Sequence, residues 1–304
     1  MNLLNFEEMD EVSERFRIDG ALIVDWKDSR LAFQPQPGAP RLRHYTPDEV
    51  WHPNLQMVNA TRPRESHGYA ILAEPDGAMH YIEFFSATLS SALYLAPFPF
   101  DSERLQVYIQ PFLGADENIA FGDPDRPSRV VNEPYTELAS WRIMDFKVSR
   151  RSAAPAFGGF GLSPEMIFTL VIQRRPRFYV WKVFVPLMII VLTSWTIFWI
   201  STADFYNQVT IAVTTLLSVI AFGFAISQSL PKLGYLTMID AFFITCYVFV
   251  FGAIVEMTVA YSLRRQGRDG AAERLHRFSR GLFPLAFVIV SGAIALHFLA
   301  MRSG

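Results

Sequence analysis

Cysteine is almost missing from this 304-residue chain, and the single one, Cys246, lies in a long apolar stretch. No intrachain disulfide can form, and neither a zinc cluster nor thiol catalysis has the residues it needs. The histidines, His44, His52, His67, His80, His276 and His297, show no metal-ligand spacing, so solvated or packed imidazoles are expected, with proton sensing by one of them left open. No nucleophile–base pair, paired carboxylates or metal constellation stands out, which argues against an enzyme and against any cofactor. Internal repeats and low-complexity tracts are also lacking. The opening Met1-Asn2-Leu3-Leu4-Asn5-Phe6-Glu7-Glu8 has neither the basic start nor the apolar run of a leader. Because the first half reads below as exported, removal of a leader by processing is expected.

Apolar sequence is plentiful: hydrophobic residues make up 51% of the chain and the mean hydropathy is +0.21. It is concentrated after Pro176, in segments at about 178–200, 206–226, 236–263 and 282–301. Each approaches the roughly 20 residues that a helix needs to cross a hydrocarbon core. Four crossings put both termini on one side. Arg264, Arg265, Arg268, Arg274, Arg277 and Arg280 lie between the third and fourth segments against only Asp269 and Glu273, which places that linker in the cytoplasm. The first half then lies outside the cell membrane, on the periplasmic face of an inner membrane, as do the Pro231–Lys232 turn and the C-terminus. Charge divides the same way, net −9 over residues 1–173 and net +7 over 174–304. An acidic outer half concentrates cations at its surface and argues against a nucleic-acid partner.

The outer half alternates with the two-residue period of strands that bury one face. Ala21–Trp26, Met79–Leu93, Arg104–Ile109 and Glu165–Ile172 are the clearest strands, and Gln34–Pro40, Asp116–Pro127 and Ala153–Pro164 read as loops. Only the charged start Phe6–Arg17 offers a long helix. The fold class is therefore β + α: an immunoglobulin-like β-sandwich over residues 1–173, followed at 174–304 by a four-helix transmembrane bundle. The join at Gln173–Pro176 leaves almost no linker, and so short a join can transmit force.

The second apolar segment carries a stripe. Thr210, Thr214, Leu217, Ala221 and Phe224 recur at spacings of 4, 3, 4 and 3, placing hydroxyls and then apolar groups along one helix face. Two readings fit. The stripe is either a packing seam between helices or the wall of a water-filled pore, with Leu217, Ala221 and Phe224 forming a constriction that closes by dewetting. One chain supplies one stave, so the pore reading demands an oligomer.

Tyr94-Leu95-Ala96-Pro97-Phe98-Pro99-Phe100-Asp101, Arg174-Arg175-Pro176, Pro186 and Ser194-Trp195 together resemble the pentameric ligand-gated ion channels, the Cys-loop receptor superfamily. Trp51-His52-Pro53 with Asn59 is similar to the family's Trp-x-Pro signature, and Trp26-Lys27-Asp28-Ser29-Arg30-Leu31 to its Trp-x-Asp-x-Arg-Leu strand. Ser91 and Leu105 stand where animal receptors have the loop cysteines, and the short linker before the fourth segment leaves no large intracellular domain. Both features, with Leu230-Pro231-Lys232-Leu233, resemble the prokaryotic members, most closely the bacterial amine-gated branch.

The resemblance implies a homopentamer in membrane lipid, opened by a small-molecule agonist or by protons acting on the outer domain, that passes monovalent cations. It implies that Asp101 and Arg174 pair at the membrane junction and couple movement to the turn at Pro231. It places an agonist box between subunits, onto which Phe112 carries over, with Phe157 and Phe160 as a mobile cap or as plain loop anchors. Ala21 replaces a ring, and Gln56 and Gln110 replace carboxylates, of the amine-gated members, which weakens the case for an amine. Asn207 stands where cation channels carry a Glu ring, with Gln208 after it, and Asp204 offers an alternative acidic ring. Asp240 is expected to cap or bind the Pro231 turn, and Glu256 to meet the linker arginines, both in structural roles. Asn59-Ala60-Thr61 fits a glycosylation sequon that coincides with the signature and is incidental. A membrane-anchored, non-conducting sensor is the rival from another class.

Overall fold

The computed structural model describes residues 1–35, 38, 40–112, 119–122, 130, 140–157, 161–201, 204–228 and 233–302. Among these residues nine strands come first: β1 Asn2–Asp10, β2 Arg15–Lys27, β3 Arg43–Tyr45, β4 Leu55–Met57, β5 Glu65–Ala73, β6 Ala78–Ser90, β7 Ser102–Pro111, β8 Trp141–Ala153 and β9 Ser163–Arg174. They form a β-sandwich of two sheets, ordered β1-β2-β6-β5-β3 and β4-β7-β9-β8. Four long helices follow: α1 Arg177–Trp199, α2 Phe205–Ser227, α3 Met238–Arg265 and α4 Asp269–Arg302, each long and apolar enough to cross a membrane. The chain divides into two compact units, Met1–Leu93 with Glu103–Gln173 and Tyr94–Ser102 with Arg174–Gly304. The Pro-Phe-Pro-Phe loop therefore belongs to the helical unit, although it lies between β6 and β7 in sequence.

In the sandwich the alternation does what the two-residue period requires. Phe16 and Ile18 on β2, Leu105, Val107 and Ile109 on β7, and Phe168, Leu170 and Ile172 on β9 are buried, with Trp141 of β8 among them as a fully enclosed ring. β2 pairs with β6 without interruption from Arg15↔Ser90 to Lys27↔Ala78. The charged start is not helical. Phe6–Arg17 runs through the β1–β2 hairpin, where Phe6 faces Ile18 and Met9 faces Phe16. Two register shifts in β1 break the alternation that would have marked it as a strand, and Glu14 turns the corner at φ 53°.

The two signature segments meet in space. Trp26 and Trp51 pack edge to face at 6.1 Å, and His52 stacks on Tyr81 at 5.9 Å. Asp28 accepts from the backbone and guanidinium of Arg30, at 3.0 Å and 2.8 Å on Oδ1, which fixes the turn after β2. Gly77, at φ +86°, lets the β5–β6 turn approach, since a Cβ there would stand 2.6 Å from the Asp28 carbonyl oxygen. Asn59 holds three backbone groups at once: Nδ2 donates to Ser90 O at 2.8 Å and Gln106 O at 2.7 Å, and Oδ1 accepts from Tyr108 N at 3.2 Å. That nitrogen is committed inside the fold, in keeping with an incidental sequon.

In the helical unit, Phe287 of α4 is the hub of an aromatic core, with Phe249 at 5.2 Å, Trp195 at 5.6 Å and Phe242 at 6.0 Å. α1 contains a π turn at Val180–Phe184, in which the Val185 N–H reaches back to Val180 O. Pro186 follows, and its ring would clash with the carbonyl four residues earlier in a regular helix. α2 and α3 approach closely at Gly223, where a Cβ would run into the Tyr247 hydroxyl. The last helix begins at Asp269, well before the apolar run at Leu282. Only Gln266–Arg268 stay outside the helices, so most of the expected arginine-rich linker is the polar first turns of α4.

Candidate functional site

α2 presents two opposite faces. Gln208, Ala212, Thr215 and Val219 are buried against the chain's own helices, and Ala212 packs with Ile197 and Met257. Asn207, Thr210, Thr214, Leu217, Ala221 and Phe224 lie on the other side, all exposed, with Leu217 at 64% and Phe224 at 69% against 0% for Val219. The stripe singled out from its spacing is thus not a seam between helices of one chain. The Thr210 hydroxyl donates to Tyr206 O at 2.9 Å and the Ser218 hydroxyl to Thr214 O at 2.7 Å. With their hydrogens turned back into the helix, these oxygens keep lone pairs for other partners.

At the start of α2 the two expected selectivity residues come together. Asp204 is the N-cap, its Oδ1 accepting from Asn207 N at 3.5 Å and its Oδ2 from Asn207 Nδ2 at 2.6 Å. The helix therefore begins with a solvent-exposed carboxylate where the macrodipole favours one.

Asp101 and Arg174 form a fully buried, bidentate pair, Nε to Oδ1 at 2.8 Å and Nη2 to Oδ2 at 3.1 Å. Arg174 N also donates to Asp101 O at 3.2 Å. The guanidinium lies over the rings of Phe98 at 4.6 Å and Tyr179 at 5.8 Å, so the charge is held by a carboxylate and two π faces. The same loop is tied to the helices: Met238 N donates to Ala96 O at 2.8 Å, Leu95 N to the Tyr235 hydroxyl at 3.0 Å, and Tyr94 stacks on Tyr235 at 6.1 Å. Asp240 caps its own helix in a reciprocal box with Thr237. Pro231, expected to receive the coupling, lies outside the described residues.

The expected agonist-box residues cluster on the β4–β7 edge. Gln56 stands opposite Gln110 in register, and Phe112 N donates to Asn54 O at 2.7 Å. Phe112 is half exposed, with the Phe157 ring at 5.9 Å. Phe160 lies outside the described residues, and Ala21 is buried on β2. Gln110 is buried and bonded within the fold, donating to Ala154 O at 3.2 Å and Glu165 Oε1 at 3.0 Å while accepting from Ala156 N at 2.9 Å. Glu165, which sequence reasoning passed over, is a buried acid beside these amides, and Arg151 neutralises it. No spacing rule links positions 110, 151 and 165, and only the sheet brings them together.

On the exposed side of the same unit, His80 lies between two carboxylates, Nδ1 to Asp25 Oδ1 at 2.6 Å and Nε2 to Glu74 Oε1 at 3.1 Å. Burial alone lowers the pKa of this imidazole, and the hydrogen bonds and charges of Asp25 and Glu74 outweigh it, so the net shift is upward. Glu256 does not meet the linker arginines. Its partner is His276, at 2.8 Å, because both side chains are turned into the bundle.

Comparison with known proteins agrees with this arrangement. Residues 1–176 match the model of the neurotransmitter-gated ion-channel ligand binding domain, and residues 183–287 that of the neurotransmitter-gated ion-channel transmembrane region. A proton-gated ion channel of Gloeobacter violaceus is 30% identical over 97% of this chain and 81% of its own length. The gamma-aminobutyric acid receptor subunit beta-4 of Gallus gallus is 24% identical over 84% of this chain, which spans about half, 53%, of that subunit. These relatives are channels and not enzymes, and the chain belongs to the neurotransmitter-gated ion channel family, as a pentameric ligand-gated channel of the prokaryotic kind.

Proposed function

We propose that the chain forms a homopentameric, cation-selective channel whose pore is lined by α2, with residues 1–173 as the periplasmic ligand-binding domain and 174–304 as the pore domain in the inner membrane. The observation that carries the reading is the uncovered stripe of Thr210, Thr214, Leu217, Ala221 and Phe224, opposite the face packed on the chain's own helices. Five copies around an axis give hydroxyl rings near one mouth and apolar rings beyond, where a narrow column of water is unstable when closed. Cation preference is supported by the exposed Asp204 carboxylate at the start of the helix and by the Thr210 oxygen, whose hydrogen is engaged in the backbone. Orientation follows from the arginines at the α3–α4 turn.

The opener is a small ligand or protons acting on the outer domain. Two observations favour protons or an uncharged ligand over an amine: the Gloeobacter relative is named for proton gating, and Glu165, the carboxylate beside Gln110, is already neutralised by Arg151. The Asp101–Arg174 pair, with Pro231, is the element through which the opener acts on the pore. The test is reconstitution of the purified chain in planar bilayers with sodium chloride gradients and pH steps on the outer face. Reversal potentials that follow sodium support the reading, and reversal that follows chloride overturns the selectivity. A chain that stays monomeric in lipid overturns the pore.

A further inference from the structure

Gln208 on α2, Glu256 on α3 and His276 on α4 are 1%, 7% and 3% exposed, and they meet inside the bundle. His276 Nδ1 lies 2.8 Å from Glu256 Oε1, and His276 Nε2 lies 3.2 Å from Gln208 Nε2. An amide nitrogen only donates. The facing Nε2 of His276 is therefore the bare, accepting nitrogen, and the imidazole hydrogen sits on Nδ1 towards the carboxylate. Gln208 Nε2 also reaches the carbonyl oxygens of Ile197, Ile200 and Ser201 at 3.4, 3.3 and 3.4 Å. Those carbonyls end α1 and begin the short link to α2, so one side chain in the first turn of α2 holds that turn to the preceding span. On the other side of the same amide, Gln208 Oε1 is buried with no hydrogen-bond partner, and so is Glu256 Oε2.

The groups facing His276 are few. Glu256 comes from α3, the neutral Gln208 from α2, and the Phe198 ring from the end of α1, edge-on at 6.2 Å. Arg280, one turn further along α4, is directed elsewhere, donating to Phe198 O at 2.9 Å and lying over Trp199 at 5.6 Å. His276 is seven residues into α4, about 10 Å from the arginine-rich turn at a rise of 1.5 Å per residue.

A proton added at Nε2 turns the accepting nitrogen into a donor that points at another donor. The contact is repaired when the Gln208 amide turns over, so that Oε1 accepts from Nε2–H. The same turn carries the amide nitrogen away from the three carbonyls. We propose that His276 is a positioning residue for the pore helix, and that a proton taken up from the arginine-rich side reverses the Gln208 amide and frees the start of α2 from the end of α1. The inference rests on the reading of α2 as the pore lining, and it locates a proton response distinct from any opener acting on the outer domain. Histidine is suited to the task because its charge changes within the range a recording chamber can scan.

The test uses the full chain in lipid and has two arms. In nitrogen-15 NMR of histidine-labelled protein, the signal lost in H276Q reports His276. It is expected to show a bare Nε2 at high pH that gains its hydrogen as the pH falls, and a hydrogen on Nε2 at high pH overturns the proposal. In inside-out patches opened by a fixed outer-face stimulus, the wild-type current is expected to change with pH on the arginine-rich face. H276Q, which keeps a donor and an acceptor, should lose that dependence and retain its response to the outer face. Q208E, which lacks the amide nitrogen that reaches the three carbonyls, should lose the dependence as well. Superimposable wild-type and H276Q curves overturn the coupling. The NMR arm needs no conduction, so failure of the pore reading is told apart from failure of this one.

Discussion

Arg174 grips Asp101 with two parallel hydrogen bonds in a site that excludes water from both side chains. Removing one partner strands the other as an uncompensated buried charge, at about 3–5 kcal/mol. R174A and D101A are each expected to reduce pentamer yield and thermal stability sharply. The double variant should be destabilised by less than the summed losses, by about 1–3 kcal/mol, because it strands nothing. Detergent-solubilised melting curves read this directly. Additive losses would show that the pair is not the unit of stability described here.

Leu217→Ala should shift the closed–open balance towards opening, since a smaller apolar ring resists wetting less. The half-maximal stimulus is the quantity to measure, at matched surface expression. A companion measurement uses thiol reagents: cysteine at Thr214, on the exposed stripe, should be modified from water during opening, and cysteine at Val219, on the packed face, should be inert. Equal modification of both, or an unchanged midpoint for L217A, would remove the stripe from the permeation path.

Charge and capping can be separated at Asp204. Asparagine caps a helix about as well as aspartate, whereas alanine loses about 1 kcal/mol. D204N is therefore expected to keep the melting temperature and lower the cation conductance, while D204A lowers both. Full conductance in D204N would mean that the carboxylate serves only as the cap of α2.

His80 sets a pH term in the stability of the β-sandwich. Its pKa is raised in the folded chain, so its contribution is fully present below the unfolded value of about 6.5. The contribution is lost as pH climbs through the higher folded value. Melting temperature measured from pH 5 to pH 9 should fall more steeply for wild type than for H80Q across that interval. Parallel curves would place the pH term elsewhere.

Much of this was legible because period and length are local. The two-residue alternation marked β6, β7 and β9, and the 4-3-4-3 stripe marked the uncovered face of α2. Four features were not legible, each for a physical reason. β1 carries bulges and many charges, so its alternation is broken just where the hairpin turns at Glu14. α4 starts at Asp269 because amphipathic turns remain helical outside an apolar core, and a hydropathy window registers only the core. The Gln208–His276–Glu256 contact joins positions 68 and 20 residues apart, and no spacing rule relates an amide of α2 to a histidine two helices later. Likewise the isolated acid Glu165 became informative only once β7 and β9 set it beside Gln110.

The widened turn at Val180–Phe184 holds one residue more than a regular helix turn would. A related chain lacking one residue there could close the turn to an ordinary one and leave every later side chain of α1 facing as it does now. A one-residue gap anywhere between Leu187 and Trp195 has no such slack, and would swing the remainder of the helix by about 100°. In aligning more distant members, an insertion or deletion in the first span therefore belongs at this turn, and an engineered single-residue deletion is best tolerated there.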